Sequence, residues 1–253
     1  LGVKYFLDFN KMLRCKPENY LLFTNSIRGD IEALISGSRQ RFGLNLPNRS
    51  RPLLTHTFDA TQLGQDRFSQ MHQTEMWEQM ARYFGLKEQI AKEPLHLPEI
   101  LRNECKIGLV PGSSNSSGKR WSPANWVSLI KELSSLNGSF NFHLYGTEQD
   151  KGITNDIFTS LCAVNVFDHA GKTDLSELAE ELASCGLIIG NDTGSMHLAN
   201  MLSTPVVVLF GPTNSSRTKP FFNSNKVLIE SPESHDINSL EPEVVLRRII
   251  SIL

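Results

Sequence analysis

Residues 186 to 210 read GLIIGNDTGSMHLANMLSTPVVVLF. Two short apolar runs, Gly186 to Ile189 and Pro205 to Phe210, are rich in Ile and Val and bounded by Gly, Asn and Pro, the pattern of buried strands. Between them lie a polar turn, Asn191 to His197, and a short helix from Leu198 to Leu202. Strand, turn, helix and strand in so short a span make a βα unit, and βα units imply a mainly parallel sheet.

The same alternation runs outward on both sides. Lys106 to Val110, Phe140 to Tyr145 and Val227 to Ile229 read as further strands. Trp126, Leu129, Ile130, Leu133 and Leu136 recur at helical spacing after Ser122-Pro123, an N-cap followed by Pro in the first turn. Leu175, Leu178, Ala179 and Leu182 follow Asp174, which forms a capping box with Glu177. A last helix spans Pro242 to Leu253. The region from about residue 99 to 253 is therefore expected to be a Rossmann-like domain. In front of it, Tyr20 to Thr24 reads as a strand, Arg28 to Ile35 as a helix stopped by Gly37, and Met71 to Phe84 as a helix closed by Gly85. Leu46 to Pro52 is a loop carrying Pro and Arg. Lys92 to Pro98 has two prolines and no periodicity, and is taken as a linker between domains 1–98 and 99–253.

Composition narrows the function. A net charge of -2 shows no basic excess for a nucleic acid partner. Cys15, Cys105, Cys162 and Cys185 are widely spaced, so neither a zinc site nor a disulfide framework is suggested, and a reducing cytoplasm fits. No apolar run approaches the roughly 18 residues needed to cross a bilayer; docking on a membrane surface stays open. The chain opens at Leu1 without an initiator methionine and runs directly into Lys4-Tyr5-Phe6-Leu7, which reads as a start inside a larger protein.

Three loops carry candidate chemistry. At Asp192-Thr193-Gly194-Ser195, a helix start presents unpaired backbone N–H groups and partial positive charge, suited to a diphosphate. Asp192 or Thr193 serving only as a helix cap is the alternative, and His197 fits a core position as well as a pocket wall. The second loop is PGSSNSSGKRW, residues 111–121. Its small residues, Ser113 and Ser114 among them, let the backbone approach a ligand, while Lys119 and Arg120 can neutralise phosphate. Gly112 and Gly118 are separated by five residues and Arg120 stands where a Walker loop needs Ser or Thr, so this is not a Walker loop. No GxGxxG occurs either, which argues against a dehydrogenase. A surface loop is the alternative. Asp150, shortly after Gly146, can accept hydrogen bonds from ribose hydroxyls, or cap a helix. Ligands of open parallel sheets bind at the carboxyl ends of strands, and Lys119, Asp150 and Asp192 all follow strands on that edge.

PGSSNSSGKRWSPANW, LYGTEQD, GKTDLSELAEELASC and IIGNDTGSMHLANMLSTPVVVLFGPTN together resemble the carboxyl-terminal domain of glycosyltransferase family 9, and within it the type II lipopolysaccharide heptosyltransferases. Thr24 to Arg28, Arg41 to Gly43 and His72 to Glu75 resemble amino-domain segments of the same enzymes. The resemblance implies an α/β GT-B fold, two Rossmann-like domains facing a cleft, the first one incomplete here. It implies inverting transfer of L-glycero-D-manno-heptose from its ADP conjugate to the lipopolysaccharide inner core, at the cytoplasmic face of the inner membrane, without a cofactor or a required metal. No DxD occurs in the chain. By matching position, Lys119 would contact the donor phosphates and assist catalysis, Asp150 the ribose, Asp192, Thr193 and Gly194 the diphosphate and sugar, and His197 would line the pocket. The family's carboxylate base belongs to a first strand and Gly-rich loop without counterpart here, and Asp8, Asp30, Asp59 and Asp66 do not stand in that context. A relative using another nucleotide sugar, and a noncatalytic nucleotide-binding module, are the alternatives.

Overall fold

The computed structural model describes residues 17–47, 49–64, 69–113, 117–161, 165–233 and 235–252. The chain divides into two compact units, Leu1–Ile90 and Ala91–Leu253.

In the first unit, β1 (Asn19–Leu22), β2 (Gln40–Asn45) and β3 (His56–Asp59) form a parallel sheet in the order β1-β2-β3. Helix α1 (Ile27–Ile35) is capped by Ser26, whose hydroxyl accepts from Gly29 N at 3.0 Å, and ends at Gly37 with φ +76°. Helix α2 (Gln73–Tyr83) is closed by Gly85 at φ +105°. Such positive φ values favour glycine because a Cβ would meet the backbone. The sequence reading missed β2 and β3. In β2, Gly43 and the polar Gln40, Arg41 and Asn45 interrupt the apolar pattern. Arg51, from the loop after β2, is buried against Asp30, with Nε 3.0 Å from Oδ1. Asp59 accepts from Thr61 N and Oγ1 at the start of a 3-10 turn. Both carboxylates thus hold local structure, while Asp8 and Asp66 lie outside the described residues.

The second unit contains β4 (Asn103–Val110), α3 (Pro123–Leu136), β5 (Asn141–Leu144), α4 (Lys151–Thr159), β6 (Val166–Asp168), α5 (Leu175–Ala183) and β7 (Cys185–Asn191). It continues with α6 (Gly194–Met201), β8 (Val206–Phe210), α7 (Ser215–Thr218), β9 (Lys226–Glu230) and α8 (Pro242–Ile250). All six strands are parallel, in the order β6-β5-β4-β7-β8-β9. The chain moves outward from β4 to β6, crosses back, and moves outward again from β7, which is the doubly wound order.

Successive strand residues face opposite layers. Ile107 and Leu109, Phe142 and Leu144, Leu187 and Ile189 pack with Trp126, Leu129, Ile130 and Leu133 of α3. Val110, Tyr145, Ile188, Val206 and Val208 pack on the other side with Leu182 of α5 and Met196 and Ala199 of α6. Both strand faces are buried, which is why these strands read as continuous apolar runs. Each fully buried Val, Leu or Ile contributes about 1.5–3 kcal/mol.

Several boundaries shift. Helix α6 begins at Gly194 rather than Leu198, which brings its opening into the candidate turn. Helix α4 went unread because Gly152, Thr154 and Asn155 are weak helix formers; burial of Thr154 and Ile157 overrides them. Strand β6 is only three residues long, too short for a pattern. The stretch Lys92 to Pro98 packs within the second unit, Asn223 N donating to Lys92 O at 2.8 Å and Leu95 N to Met201 O at 2.6 Å. No described helix is long and apolar enough to cross a membrane.

Beneath β5 and β6 lies a polar network. His143 Nδ1 and His169 Nε2 are 3.0 Å apart with ring planes 8° from parallel. Glu181 Oε2 accepts from Lys106 Nζ at 2.6 Å and from Tyr145 OH at 2.8 Å. Among the described residues, His143, His169 and Glu181 form the group close enough to share an ion, but the Lys106 ammonium already neutralises that carboxylate. Burial, reinforced by the charge of Lys106, lowers the His143 pKa from 6.5 to about 4, and burial lowers that of His169. The unfolded chain protonates these rings near pH 6.5, whereas the folded chain resists. Stability is therefore fully present above pH 6.5 and declines as pH falls toward 4. Urea midpoints at pH 7 and pH 5 are expected to differ for the wild type and to differ less for His143→Gln; equal pH dependence would remove His143 from the account.

Candidate functional site

Four loops at the carboxyl edge of the second sheet meet around a cavity of about 550 Å³. They follow β4 (Gly112, Ser113), β5 (Gly146 to Asp150), β6 (Gly171 to Asp174) and β7 (Thr193 to Ser195). Strands β4 and β7 are adjacent at the point where the strand order reverses, the place where doubly wound sheets bind ligands.

The loop after β4 is fixed at its far end by Trp121. Its ring is fully buried, Nε1 donates to Leu240 O at 2.9 Å, and Ser122 N donates to Asn238 Oδ1 at 2.8 Å. Lys119 and Arg120 immediately precede this anchor. Lys119 Nζ lies 3.1 Å from Asp192 Oδ2, so the charged group of the first loop meets the turn after β7. Arg120 behaves differently from a free phosphate ligand. Its Nε and Nη2 both donate to Ser113 O, at 3.2 and 2.9 Å, and Nη2 stands 3.7 Å from Asp150 Oδ1. It straps the loop to the turn after β5. Asn191 adds a second strap, its Nδ2 donating to Pro111 O at 2.7 Å.

Asp150 is almost wholly buried. Oδ2 accepts from Thr147 N at 2.9 Å and Thr147 Oγ1 at 2.7 Å, closing the turn that leads into α4. Oδ1 is buried and has no hydrogen-bond partner among the described residues. Asp150 rests directly under Gly112, where any Cβ would overlap its carboxyl group, and beside Gly146, where a Cβ would come within 2.8 Å of its own. The two glycines let both loops close over this one acid.

At the α6 opening, Thr193 occupies the N-cap position but makes no side-chain cap bond. Its Oγ1 is buried and, like Asp150 Oδ1, has no partner among the described residues. The simple capping role therefore does not describe Thr193. Unsatisfied buried oxygens are uncommon and call for a partner. Asp192, buried, gathers Lys119 and also Thr218 Oγ1 at 3.3 Å on Oδ2, with His197 Nε2 4.0 Å from Oδ1.

Of the residues expected from the sequence, Ser113, Asp150, Thr193, Gly194 and Ser195 line the cavity. Lys119, Arg120, Asp192 and His197 form the charged cluster linked to it, and Ser114 lies outside the described residues. Glu148, Thr173, Asp174, Leu175 and Leu178 line it as well, outside the sequence-derived set of site residues. The wall after β6 was hidden because β6 itself was not legible; the capping box Asp174–Glu177 was the available signal, marking a helix start on the ligand edge.

The chain matches the family described as Glycosyltransferase family 9 (heptosyltransferase) over residues 40–244. It belongs to that family. Lipooligosaccharide heptosyltransferase 2 of Campylobacter jejuni subsp. jejuni serotype O:2 is 36% identical over 135 residues, 52% of this chain and 42% of the relative. The matched stretch thus spans less than half of that relative. The structure of E. coli ADP-heptose lps heptosyltransferase II aligns with a TM-score of 0.72 at 19% identity, over 96% of this chain and 78% of the other. E. coli heptosyltransferase WaaC with ADP aligns with a TM-score of 0.73 at 14% identity, over 100% and 79%. These structural likenesses establish the shared α/β fold.

Proposed function

We propose that this glycosyltransferase family 9 chain binds an ADP-linked heptose in the cavity of its second unit and serves inverting transfer of the sugar to the lipopolysaccharide inner core, at the cytoplasmic face of the inner membrane. The observation that carries the reading is the cavity at the strand-order reversal, with the α6 opening in its wall and, among its lining residues, two buried oxygens without a hydrogen-bond partner among the described residues, Thr193 Oγ1 and Asp150 Oδ1, the latter 3.7 Å from the Arg120 guanidinium. Family membership and the heptosyltransferase named above support the choice of sugar, and the ADP in the WaaC complex supports the choice of nucleotide.

In this reading the ribose hydroxyls meet Asp150, with Glu148 at the same rim, and the diphosphate meets the first backbone N–H groups of α6. Transfer breaks the bond between the anomeric carbon and the β-phosphate oxygen as the acceptor oxygen bonds to the opposite face, and the acceptor proton passes to a base. Negative charge grows on the departing ADP. The α6 opening, preorganised before reaction, and the Lys119 ammonium stabilise that charge more than the ground state, which is what accelerates the step. Lys119 is tied to Asp192 in the free chain, so the diphosphate competes for it and frees Asp192 toward the sugar.

Calorimetry with ADP, UDP and GDP tests the nucleotide, and a transfer assay with ADP-heptose and a lipopolysaccharide acceptor tests the reaction. ADP is expected to bind best; a preference for UDP or GDP would overturn the donor assignment. Asp150→Asn is expected to weaken ADP binding chiefly through the ribose, so an ADP analogue lacking the ribose hydroxyls should lose little further. Equal loss with both ligands would contradict that contact.

A further inference from the structure

The motif FGPTN, residues 210–214, ends β8 and leads into α7, yet nothing in the donor reading above uses it. Its geometry is closely held. Asn214 Oδ1 accepts from Ser216 N at 3.0 Å and caps the single turn of α7. Ser215 is buried, and its hydroxyl donates to Glu230 Oε1 at the end of the edge strand β9. The turn is therefore fixed to the sheet at its beginning and stopped by Pro220 shortly after its end. Thr218, its last residue, is carried to the buried carboxylate of Asp192, with Oγ1 3.3 Å from Oδ2.

The Thr218 hydroxyl has two acceptors at the same distance, Asp192 Oδ2 and Asn214 O, each 3.3 Å away. It carries one proton. An ionised carboxylate is the stronger acceptor, so the proton is directed to Asp192, with the carbonyl as a secondary partner. Asp192 Oδ2 is then held from two sides, by Lys119 from the loop after β4 and by Thr218 from the loop after β8. The two ties differ in kind. Lys119 is a cation on a flexible four-carbon stem that a diphosphate can draw away, whereas Thr218 is neutral and sits in a pinned turn.

We propose that Thr218 is a positioning residue for Asp192, keeping that carboxylate aimed at the donor sugar while Lys119 moves to the phosphates, and that the loop after β8 is thus a working part of the site. The inference rests on the nucleotide-sugar reading above and adds to it the device that holds the sugar-side acid. It separates sugar recognition from nucleotide recognition, since the Thr218 hydroxyl bonds Asp192 and Asn214 O and not the Asp150 carboxylate assigned to the ribose.

The test compares Thr218→Val, which keeps the shape and removes the proton, with Thr218→Ser, which keeps the hydroxyl. For Thr218→Val, affinity for ADP is expected to stay within about twofold while affinity for ADP-heptose and kcat of transfer each fall about tenfold, the range of one hydrogen bond to a charged group. Thr218→Ser should recover most of the loss. In an Asp192→Ala background Thr218→Val should have no further effect. A purely structural role would instead lower ADP and ADP-heptose binding together and persist in that background, and either result overturns the proposal. The same double-mutant cycle, measured by urea unfolding of the ligand-free chain, reads the Thr218–Asp192 contact directly; absence of coupling there would also overturn it. Failure of the wild type to bind ADP would sink the nucleotide reading, and the unfolding cycle keeps that outcome distinct.

Discussion

Measured in protein that carries the family's catalytic base, Lys119→Ala is expected to lower the rate of heptose transfer at least tenfold and toward 100-fold, with the fold retained. The fold should survive because Lys119 contributes its charge and little else: the loop is anchored one residue beyond Arg120 by the buried Trp121 and its bond to Leu240 O. The rate should fall because a hydrogen bond between charged groups is worth about 1.5–3 kcal/mol, roughly ten- to 150-fold. Asp192 keeps Thr218 when the lysine is gone, so the carboxylate is not left wholly unsatisfied. Lys119→Arg keeps the charge on a different frame and should recover part of the activity. Circular dichroism melts, ADP calorimetry and steady-state kinetics together check the prediction. An unchanged kcat with ADP-heptose would make the lysine a partner of Asp192 in the resting chain and nothing more.

The second unit was legible in the sequence because its strands are buried on both faces. Ile188, Ile189 and Val206 to Leu209 need no alternation, so a short run of branched residues between turn signals suffices to mark each strand. Helices α3 and α5 announce themselves by caps that the structure contains: Ser122 Oγ accepts from Asn125 N, and the Asp174 and Glu177 carboxylates each accept from the other residue's backbone N–H. The elements that went unread are those whose local preference opposes their place in the fold. Strand β2 carries polar residues and a glycine that the Arg51–Asp30 pair and Leu54 accommodate, and α4 is held by burial of residues that would not choose a helix alone. The site followed the same division. Asp150, Thr193 and Gly194 stand next to strong strand signals and were nominated. Thr218 and the wall after β6 depend on contacts between loops far apart in sequence, which no local pattern encodes. The direction of Arg120 is of the same kind: charge and position alone suggested a phosphate, and only the placement of Ser113 O shows it strapping two loops together.

Gly112→Ala is expected to weaken ADP binding by about five- to 150-fold and to lower the unfolding midpoint, although it adds a single methyl group to a loop. The methyl would overlap the Asp150 carboxyl group. Asp150 has no room to retreat, since its Oδ2 is held by two donors of Thr147 and its Cβ already sits against Gly146. The loop after β4 must therefore lift, and it takes with it Ser113 of the cavity wall and the carbonyl that Arg120 grips. Overpacking of this kind costs about 1–3 kcal/mol, which corresponds to roughly five- to 150-fold in affinity if it falls on the bound geometry. Removing the obstacle separates collision from lost chemistry. Gly112→Ala combined with Asp150→Ala should regain stability relative to Gly112→Ala alone, because the methyl then has space, while ADP affinity stays low because the ribose has lost its acceptor. If Gly112→Ala bound ADP as the wild type does, the close seat of this loop on Asp150 would not be what shapes the nucleotide site.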